Sequence, residues 1–315
     1  MIYDCIVVGG GPAGLSAALM LGRCRRRVLV CDTGQPRNRR AHAAHGFLSR
    51  DGIAPGELLR IAREQLVPYD TVELRTAEVV DVVREGKVYA VRCADDTWLR
   101  CRKLLLATGV VDELPAIDGL EEFYGRSVHH CPYCDGWEWR DQPIAVYGQG
   151  EVGAGLAQGL TVWSRDLLLC TDGPAELPER IVERLEMLRI PVREERVRRL
   201  EGRDGKLQRI VFEHGPPADR RALFFSTGQR QASPLPARLG CTLTERGAVA
   251  TGECEATNVP GLYVCGDASR EAQFVVVAAA EGAEAGMAIN QALLEEDLAA
   301  QKSSSIPSRA SLGGP

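Results

Sequence analysis

Short runs of apolar, β-branched residues alternate along this chain with longer stretches whose apolar positions recur at helical spacing. That alternation predicts an α/β protein built on parallel sheets. The strand Ile6–Val8 runs into Gly9-Gly10-Gly11-Pro12-Ala13-Gly14, then a helix of small and apolar residues over Leu15 to Leu21, then the strand Val28–Cys31, which ends in Asp32. The same order returns with the strand Ile144–Tyr147, the turn Gly148-Gln149-Gly150-Glu151-Val152-Gly153, a helix, and the strand Leu167–Cys170 followed by Asp172. The turns lie about 139 positions apart, from Gly9 to Gly148, room enough for each to found its own domain. Leu104-Leu105-Leu106-Ala107-Thr108-Gly109 and Leu223-Phe224-Phe225-Ser226-Thr227-Gly228 form a second matched pair. A further strand closes on Gly266-Asp267, and a helix is expected from Val275 to about Leu294. Val192–Asp219 reads as a solvent-facing meander, Cys24–Arg27 as a solvated basic helix end, and Gln301–Pro315 as a flexible Ser/Gly/Pro tail.

Composition narrows the class. A net charge of −5 offers no basic surface for nucleic acid. No apolar run approaches the roughly 20 residues that span a bilayer, so no membrane segment is expected. Met1–Val8 enters a strand at once, without a basic n-region, so no secretory leader is expected. Most of the 11 cysteines stand singly inside apolar segments, which fits buried thiols in a reducing cytoplasm better than a disulfide-stapled secreted fold.

The first glycine turn carries chemistry because of its context. Gly9 permits the tight turn, Gly11 lets backbone N–H groups approach a pyrophosphate, and Gly14 allows close helix–strand packing. Asp32, 21 positions after Gly11, can accept hydrogen bonds from a ribose. The second turn has the same frame in Gly148, Gly150 and Gly153, with Glu151 and Val152 between. Thr171-Asp172-Gly173 follows its second strand. A carboxylate there repels a 2′-phosphate and suits a free 2′-hydroxyl, so NADH or a second FAD is favoured over NADPH, with an empty relic as the alternative. Cys131-Pro132-Tyr133-Cys134 has the spacing of a closable, redox-active disulfide, and Asp135 beside it can carry a proton. Two alternatives remain open on the residues alone. The pair is half of a zinc site completed by His129, His130 or distant ligands, or it is two inert core cysteines. His129 and His130 read as positioning or packing residues ahead of general bases.

Together these motifs resemble the low-molecular-weight thioredoxin reductases, over Met1 to about Leu294. The matching residues are Gly9-Gly10-Gly11-Pro12-Ala13-Gly14-Leu15, Ala107-Thr108-Gly109, Cys131-Pro132-Tyr133-Cys134-Asp135-Gly136, Gly148-Gln149-Gly150 and Gly266-Asp267. The resemblance implies two Rossmann-like domains. An FAD-binding domain comes from residues 1–115 and 246–300, and an inserted NAD(P)-type domain of 116–245 carries the CxxC, with 301–315 a tail. It implies an FAD site of Gly9, Gly11, Pro12, Ala13, Gly14, Asp32, Thr33, Thr108, Gly109, Gly266, Asp267, Gln273, Phe274 and Val275. It implies catalytic roles for Cys134 as the flavin-proximal thiol, Cys131 as the interchange thiol and Asp135 as acid–base. A homodimer and a thioredoxin-like protein or small disulfide or dithiol substrate are implied as well. The departures are specific. Thr171-Asp172-Gly173 replaces the family's basic stretch, and Gln273-Phe274 replaces its Arg-Gln pair. Gly34-Gln35-Pro36-Arg37-Asn38 and His45-Gly46-Phe47-Leu48 stand in place of its Gly-Gly-Gln flavin loop. These resemble the pyridine-nucleotide-independent and dithiol-oxidase branch; the donor stays open among NADH, NADPH, a ferredoxin and a second flavin, with NADPH least favoured, and the direction of electron flow stays open too.

Overall fold

The computed structural model describes residues 2–304. The first stretch comprises β1 (Ile2–Val8), α1 (Pro12–Arg23), β2 (Val28–Asp32), α2 (Pro55–Glu64), β3 (Val72–Thr76), β4 (Val79–Glu85), β5 (Val88–Cys93) and β6 (Trp98–Leu106). The middle comprises β7 (Val110–Asp112), α3 (Leu120–Phe123), β8 (Val128–His129), α4 (Pro132–Asp135), β9 (Ile144–Tyr147), α5 (Gly150–Leu160), β10 (Leu167–Cys170) and α6 (Glu179–Met187). It continues with β11 (Val192–Arg193), β12 (Val197–Arg203), β13 (Lys206–Phe212), β14 (Ala218–Asp219), β15 (Ala222–Phe225) and β16 (Gln229–Gln231). The chain then adds α7 (Leu235–Arg238), β17 (Leu262–Val264) and α8 (Val275–Ser304).

Packing divides the chain into two compact units. One comprises residues up to Pro36, Leu59–Gly109 and the chain from Gln231 on; the other comprises Arg37–Leu58 and Val110–Arg230. The sequence reading expects divisions at 115/116 and 245/246; the packing differs at both and moves Arg37–Leu58 into the second unit. The reason lies in distant contacts. Gln231 donates to the carbonyls of Gly247 and Ala268, and Leu235 joins the core beneath the first sheet. Arg37 pairs with Asp112, and His45 lies 3.5 Å from Glu138.

In the first unit the sheet order is β3-β2-β1-β6-β5-β4, with β17 on β6. β6 takes two partners of opposite sense along one edge. Its first half pairs antiparallel with β5, and its last three residues pair parallel with β17. β1 is flanked in parallel by β2 and β6. Covered on both faces, it is apolar along nearly its whole length rather than alternating. α1 and α8 pack against each other with almost no gap. A Cβ on Gly282 would stand 2.0 Å from the Ala13 carbonyl oxygen, and one on Gly286 3.0 Å from that of Ala17.

α8 runs ten residues past the expected Leu294 and through the start of the expected tail. Leu293 is fully buried. Arg26 pairs with Asp297 at 2.7 Å, Arg102 with Glu296 at 3.0 Å, and Lys103 with Glu296, fixing the next turn. Arg26 also donates to Asn290, so the basic cluster after α1 is partly an internal clamp rather than a purely solvated end. Residues 305–315 of the expected tail lie outside the described residues.

The second unit repeats the architecture. Its sheet is β11-β10-β9-β15-β8, all parallel, and the charged stretch forms the antiparallel β12-β13-β14. The registers correspond. Val8 lies between Cys31 and Leu106, and Tyr147 between Cys170 and Phe225. Among the described residues no helix is long and apolar enough to cross a membrane.

The glycine contacts lead to opposite outcomes for one chemical change. Gly282→Ala forces the α1–α8 contact apart and is expected to cost about 1–3 kcal/mol. Gly155→Ala, on α5 with open space around its Cβ, is expected to stabilise by about 0.5–1 kcal/mol through helix propensity. Denaturant midpoints of the two variants check both signs.

Candidate functional site

In the first unit the turn after β1 is held by the Gly9 N–H donating to Cys31 at 2.8 Å. Gly9 has φ +109°, and a Cβ there would lie 2.2 Å from the Ala107 carbonyl oxygen; a Cβ on Gly14 would lie 1.9 Å from that of Gly9. Only glycine fits either place. Gly11 is the extended N-cap of α1, with open space over it and no side chain capping the helix. Pro12 starts the helix, and no acid stands in its first turn. The local backbone dipoles therefore face open space, the arrangement that suits a phosphate.

Around this turn the structure gathers several of the expected residues. Asp32 closes β2 with its carboxyl against Gly10, and its Oδ2 accepts from Arg63 at 2.9 Å. Thr33 beyond it is exposed. The Thr108 hydroxyl is buried with no partner, just before Gly109 at φ +67°. Gly266 packs on Ala13, with 3.0 Å from its would-be Cβ to the alanine Cβ, so the Gly266-Asp267 turn abuts the first turn of α1. Gln273 donates to the Arg270 carbonyl, and Phe274 precedes Val275, the first residue of α8. An orphaned buried hydroxyl and an uncapped glycine cradle with a carboxylate at the next strand end fit an FAD.

Sequence reasoning missed what props this cradle. Glu281 on α8 accepts the Gly266 N–H at 2.7 Å and the Arg270 Nε at 2.7 Å. Arg270 also reaches Glu255, which is wholly buried and takes a hydrogen bond from Thr251. Burial pushes the Glu281 carboxyl above its usual range, with nearby Glu255 adding to it and the Gly266 N–H and Arg270 opposing. A lone acid within the small-residue run Ala278-Ala279-Ala280-Glu281-Gly282 was the available signal.

The second glycine turn keeps the strand contact, with the Gly148 N–H donating to Cys170 at 3.1 Å, but its left-handed residue is Gly150 at φ +55° where the first turn has Gly9, and α5 starts at Gly150 itself. Several of its polar side chains are engaged. Asp172 Oδ2 accepts from Tyr147 at 3.0 Å and its Oδ1 from the Val197 N–H at 2.7 Å. Thr227, the counterpart of Thr108, donates to the Glu113 carbonyl. Glu151 stands in the first turn of α5 and pairs with Arg180, while Val152 is exposed. Ser226 Oγ, beneath Gly148, has no partner. A carboxylate at the strand end is a poor fit for the 2′-phosphate that distinguishes NADPH from NADH and FAD.

Cys131 and Cys134 are disulfide-bonded, Cα–Cα 5.3 Å, across the single turn α4. Cys131 is its extended N-cap, and its carbonyl accepts from the N–H groups of Cys134 and Asp135, each at 3.2 Å. The turn rests on Trp163: a Cβ on Gly136 would meet the indole at 2.8 Å, and Tyr133 meets Trp163 edge-on at 5.6 Å. Tyr133 itself is 77% exposed, and both cysteines are half-buried. His129 is 5% exposed and lies between Trp139 and Asp135. His130 has Nε2 3.1 Å from Arg37 Nη2 and Nδ1 3.9 Å from Asp112. Burial pushes the His130 imidazole below its usual value, opposed by Asp112. Burial would raise Asp112, but Arg37, His130 and the Tyr124 hydroxyl hold it below the usual carboxylate range. Among the described residues no group of three or more His, Cys, Asp or Glu is arranged to hold a metal ion.

Residues 3–282 match the family model described as pyridine nucleotide-disulphide oxidoreductase. The thioredoxin reductase tcpT of Claviceps purpurea is 32% identical, with 96% of this chain and 97% of that protein covered. The crystal structure of HlmI superposes with a TM-score of 0.91 at 36% identity, covering 96% of each chain. An oxidoreductase from Agrobacterium tumefaciens superposes with a TM-score of 0.88 at 34% identity, covering 93% of this chain and 99% of that one. With nearly nine-tenths of its length inside that model and its duplicated dinucleotide folds in place, the chain belongs to the pyridine nucleotide-disulphide oxidoreductase family, as a thioredoxin reductase-like, FAD-dependent enzyme.

Proposed function

We propose that this enzyme exchanges electrons between a flavin and an external disulfide or dithiol through Cys131 and Cys134. The observation that carries the reading is the Cys131–Cys134 disulfide itself, half-buried, with Asp135 in the same turn. FAD, when bound, supplies a two-electron couple. Gly9, Gly11, Pro12, Ala13 and Gly14 receive its pyrophosphate, Asp32 with Thr33 its ribose, and Thr108, Gly109, Gly266, Asp267, Gln273, Phe274 and Val275 the remainder. Opening the disulfide takes two electrons and two protons and gives two thiols. Cys134 exchanges with the cofactor. The Cys131 thiolate attacks one sulfur of a partner disulfide, forms a mixed disulfide and expels the other sulfur as a thiolate. Cys134 then resolves that bond, and Asp135 carries the proton at the sulfurs. The partner is a thioredoxin-like protein or a small disulfide, and the working form is a homodimer.

We place NADPH behind other donors: NADH, a ferredoxin, or a second flavin at Gly148, Gly150, Glu151, Val152 and Asp172. The support is the Asp172 carboxylate at the second strand end, where NADPH alone among these dinucleotides would bring a 2′-phosphate. The same observation supports a second reading in which electrons run outward. A substrate dithiol is oxidised to its disulfide, the Cys131–Cys134 pair is reduced and reoxidised, and oxygen is reduced to peroxide.

Serine at Cys134 or at Cys131 is expected to reduce thiol–disulfide turnover to background while flavin content stays at the wild-type level; wild-type turnover in Cys134→Ser would end the reading. Anaerobic mixing with NADPH is expected to leave the flavin spectrum oxidised over many turnovers' time, whereas a dithiol bleaches it; rapid bleaching by NADPH overturns the donor assignment. Peroxide formed in step with dithiol consumption in air selects the outward direction. Asp32→Ala removes a charged acceptor, worth roughly 1.5–3 kcal/mol, so the flavin Kd is expected to rise about 10- to 100-fold in a titration of the deflavinated protein.

A further inference from the structure

β17 ends at Val264, and the Cys265 N–H makes the last bond to β6, donating to the Leu106 carbonyl at 3.1 Å. The next N–H, that of the buried Gly266, has left the ladder and must find another acceptor. It takes Oε2 of Glu281 on α8, 2.7 Å away. The other oxygen of Glu281, Oε1, accepts from Arg270 Nε at 2.7 Å. Arg270 in turn donates from Nη2 to Oε1 of Glu255 at 2.5 Å, and Oε2 of Glu255 accepts from the Thr251 hydroxyl at 3.1 Å. All four carboxylate oxygens are thus engaged, and neither side chain meets much water: exposure is 0% for Glu255 and 7% for Glu281. The segment that delivers Glu255 is strained. Cys254 at φ +51° and Glu255 at φ +66° are consecutive left-handed residues without being glycine, a costly backbone. Gly252 closes that loop by donating to the Ala256 carbonyl at 2.8 Å. The strain places a buried carboxylate against Arg270, and Arg270 passes the hold on to Glu281.

We infer that Glu281 is a positioning residue for the flavin: gripped by Arg270, which Glu255 anchors, its carboxylate sets the Gly266-Asp267 turn against the first turn of α1. The inference rests on the reading of Gly266 and Asp267 as cofactor residues. Gly266 has φ +77°, and a Cβ on it would stand 3.0 Å from that of Ala13. The residues after Asp267 are pinned from other sides. The Ser269 N–H and hydroxyl both donate to the Gly266 carbonyl, at 3.0 and 3.2 Å. The Ala268 carbonyl accepts from the Val249 N–H and from Gln231 Nε2, each at 2.8 Å. Glu281 fixes the residue before Asp267, and it does so from the helix whose Gly282 meets the Ala13 carbonyl. The start of α1, the turn and α8 are thereby set at one spacing. A carboxylate suits this task because one planar group accepts from two donors in fixed directions, and its charge strengthens both bonds. A glutamine would accept at its oxygen and turn its NH2 toward the second donor.

The experiment is a flavin titration of the deflavinated full-length protein, followed by flavin fluorescence, with the visible circular dichroism of the bound flavin as a second readout. Glu281→Gln leaves one oxygen for two donors and is expected to raise the flavin Kd about tenfold and to alter the dichroism. Arg270→Gln releases the Glu281 carboxylate from its grip and is expected to raise the Kd similarly. The double variant is expected to bind as either single variant does, because both act through one turn. Asn290→Ala breaks the contact of α8 with Arg26 and is the stability control: its denaturant midpoint falls while Kd and dichroism stay at wild type. If Glu281→Gln behaves like Asn290→Ala, Glu281 only stabilises the fold and the inference fails. It fails equally if the two single shifts multiply in the double variant. Arg270→Gln, at a partly exposed position, carries the test by itself if Glu281→Gln does not fold, and a wild-type Kd there overturns the inference. Asp267→Ala tests the reading beneath it. A wild-type Kd in that variant removes the Gly266-Asp267 turn from the cofactor site, whereas a raised Kd beside a wild-type Kd in Glu281→Gln overturns the positioning role alone.

Discussion

The first unit depends on how closely backbone can approach backbone around Ala13. The carbonyl of Ala13 meets Gly282 of α8, its methyl meets Gly266, and one residue on, Gly14 lies over the carbonyl of Gly9, which itself touches Ala107. Three of these contacts are closer than any side chain permits, and the fourth, at Gly266, is tight. Together they draw β1, α1, β6, the Gly266-Asp267 turn and α8 into one block before a cofactor is considered. The dinucleotide cradle is the solvent-facing surface of that block. Its uncapped helix start and unpartnered Thr108 hydroxyl are the polar groups the packing leaves over.

The second unit uses the same strand order around its central strand and engages its polar side chains differently. Asp172, Thr227 and Glu151 are tied to Tyr147 and Val197, to Glu113, and to Arg180. Its chemistry sits at the other end of its sheet, after β8, where a disulfide turn rests on Trp163 and His129. Both copies leave the helix start uncapped, but the threonine hydroxyl is unpartnered in the first and bonded to Glu113 in the second.

Cysteine use follows the same division. Burial pushes the thiols of Cys101 and Cys170 up to about 12 and those of Cys5 and Cys265 well above their ordinary value. Those sulfurs behave as small apolar side chains. The pair at 131 and 134 stands instead under the exposed Tyr133.

The sequence by itself determined the two strand–glycine–helix–strand units, the acid at each second strand end, and the paired cysteines with Asp135. These features are legible because they are local: a missing Cβ, a one-turn cysteine spacing, an unbroken apolar run. Only the tertiary structure decided that Arg37–Leu58 joins the second unit, that α8 continues to Ser304, and that Asp172 is engaged while Thr108 is not. It alone showed that Glu281, Arg270 and Glu255 brace the Gly266 turn and that Trp139, His129 and Asp135 form a line. The physical reason is common to all of these. A side-chain hydrogen bond or ion pair between segments far apart in the chain, or across an irregular loop, has no period and no fixed spacing. It exists only once packing has set both ends in place.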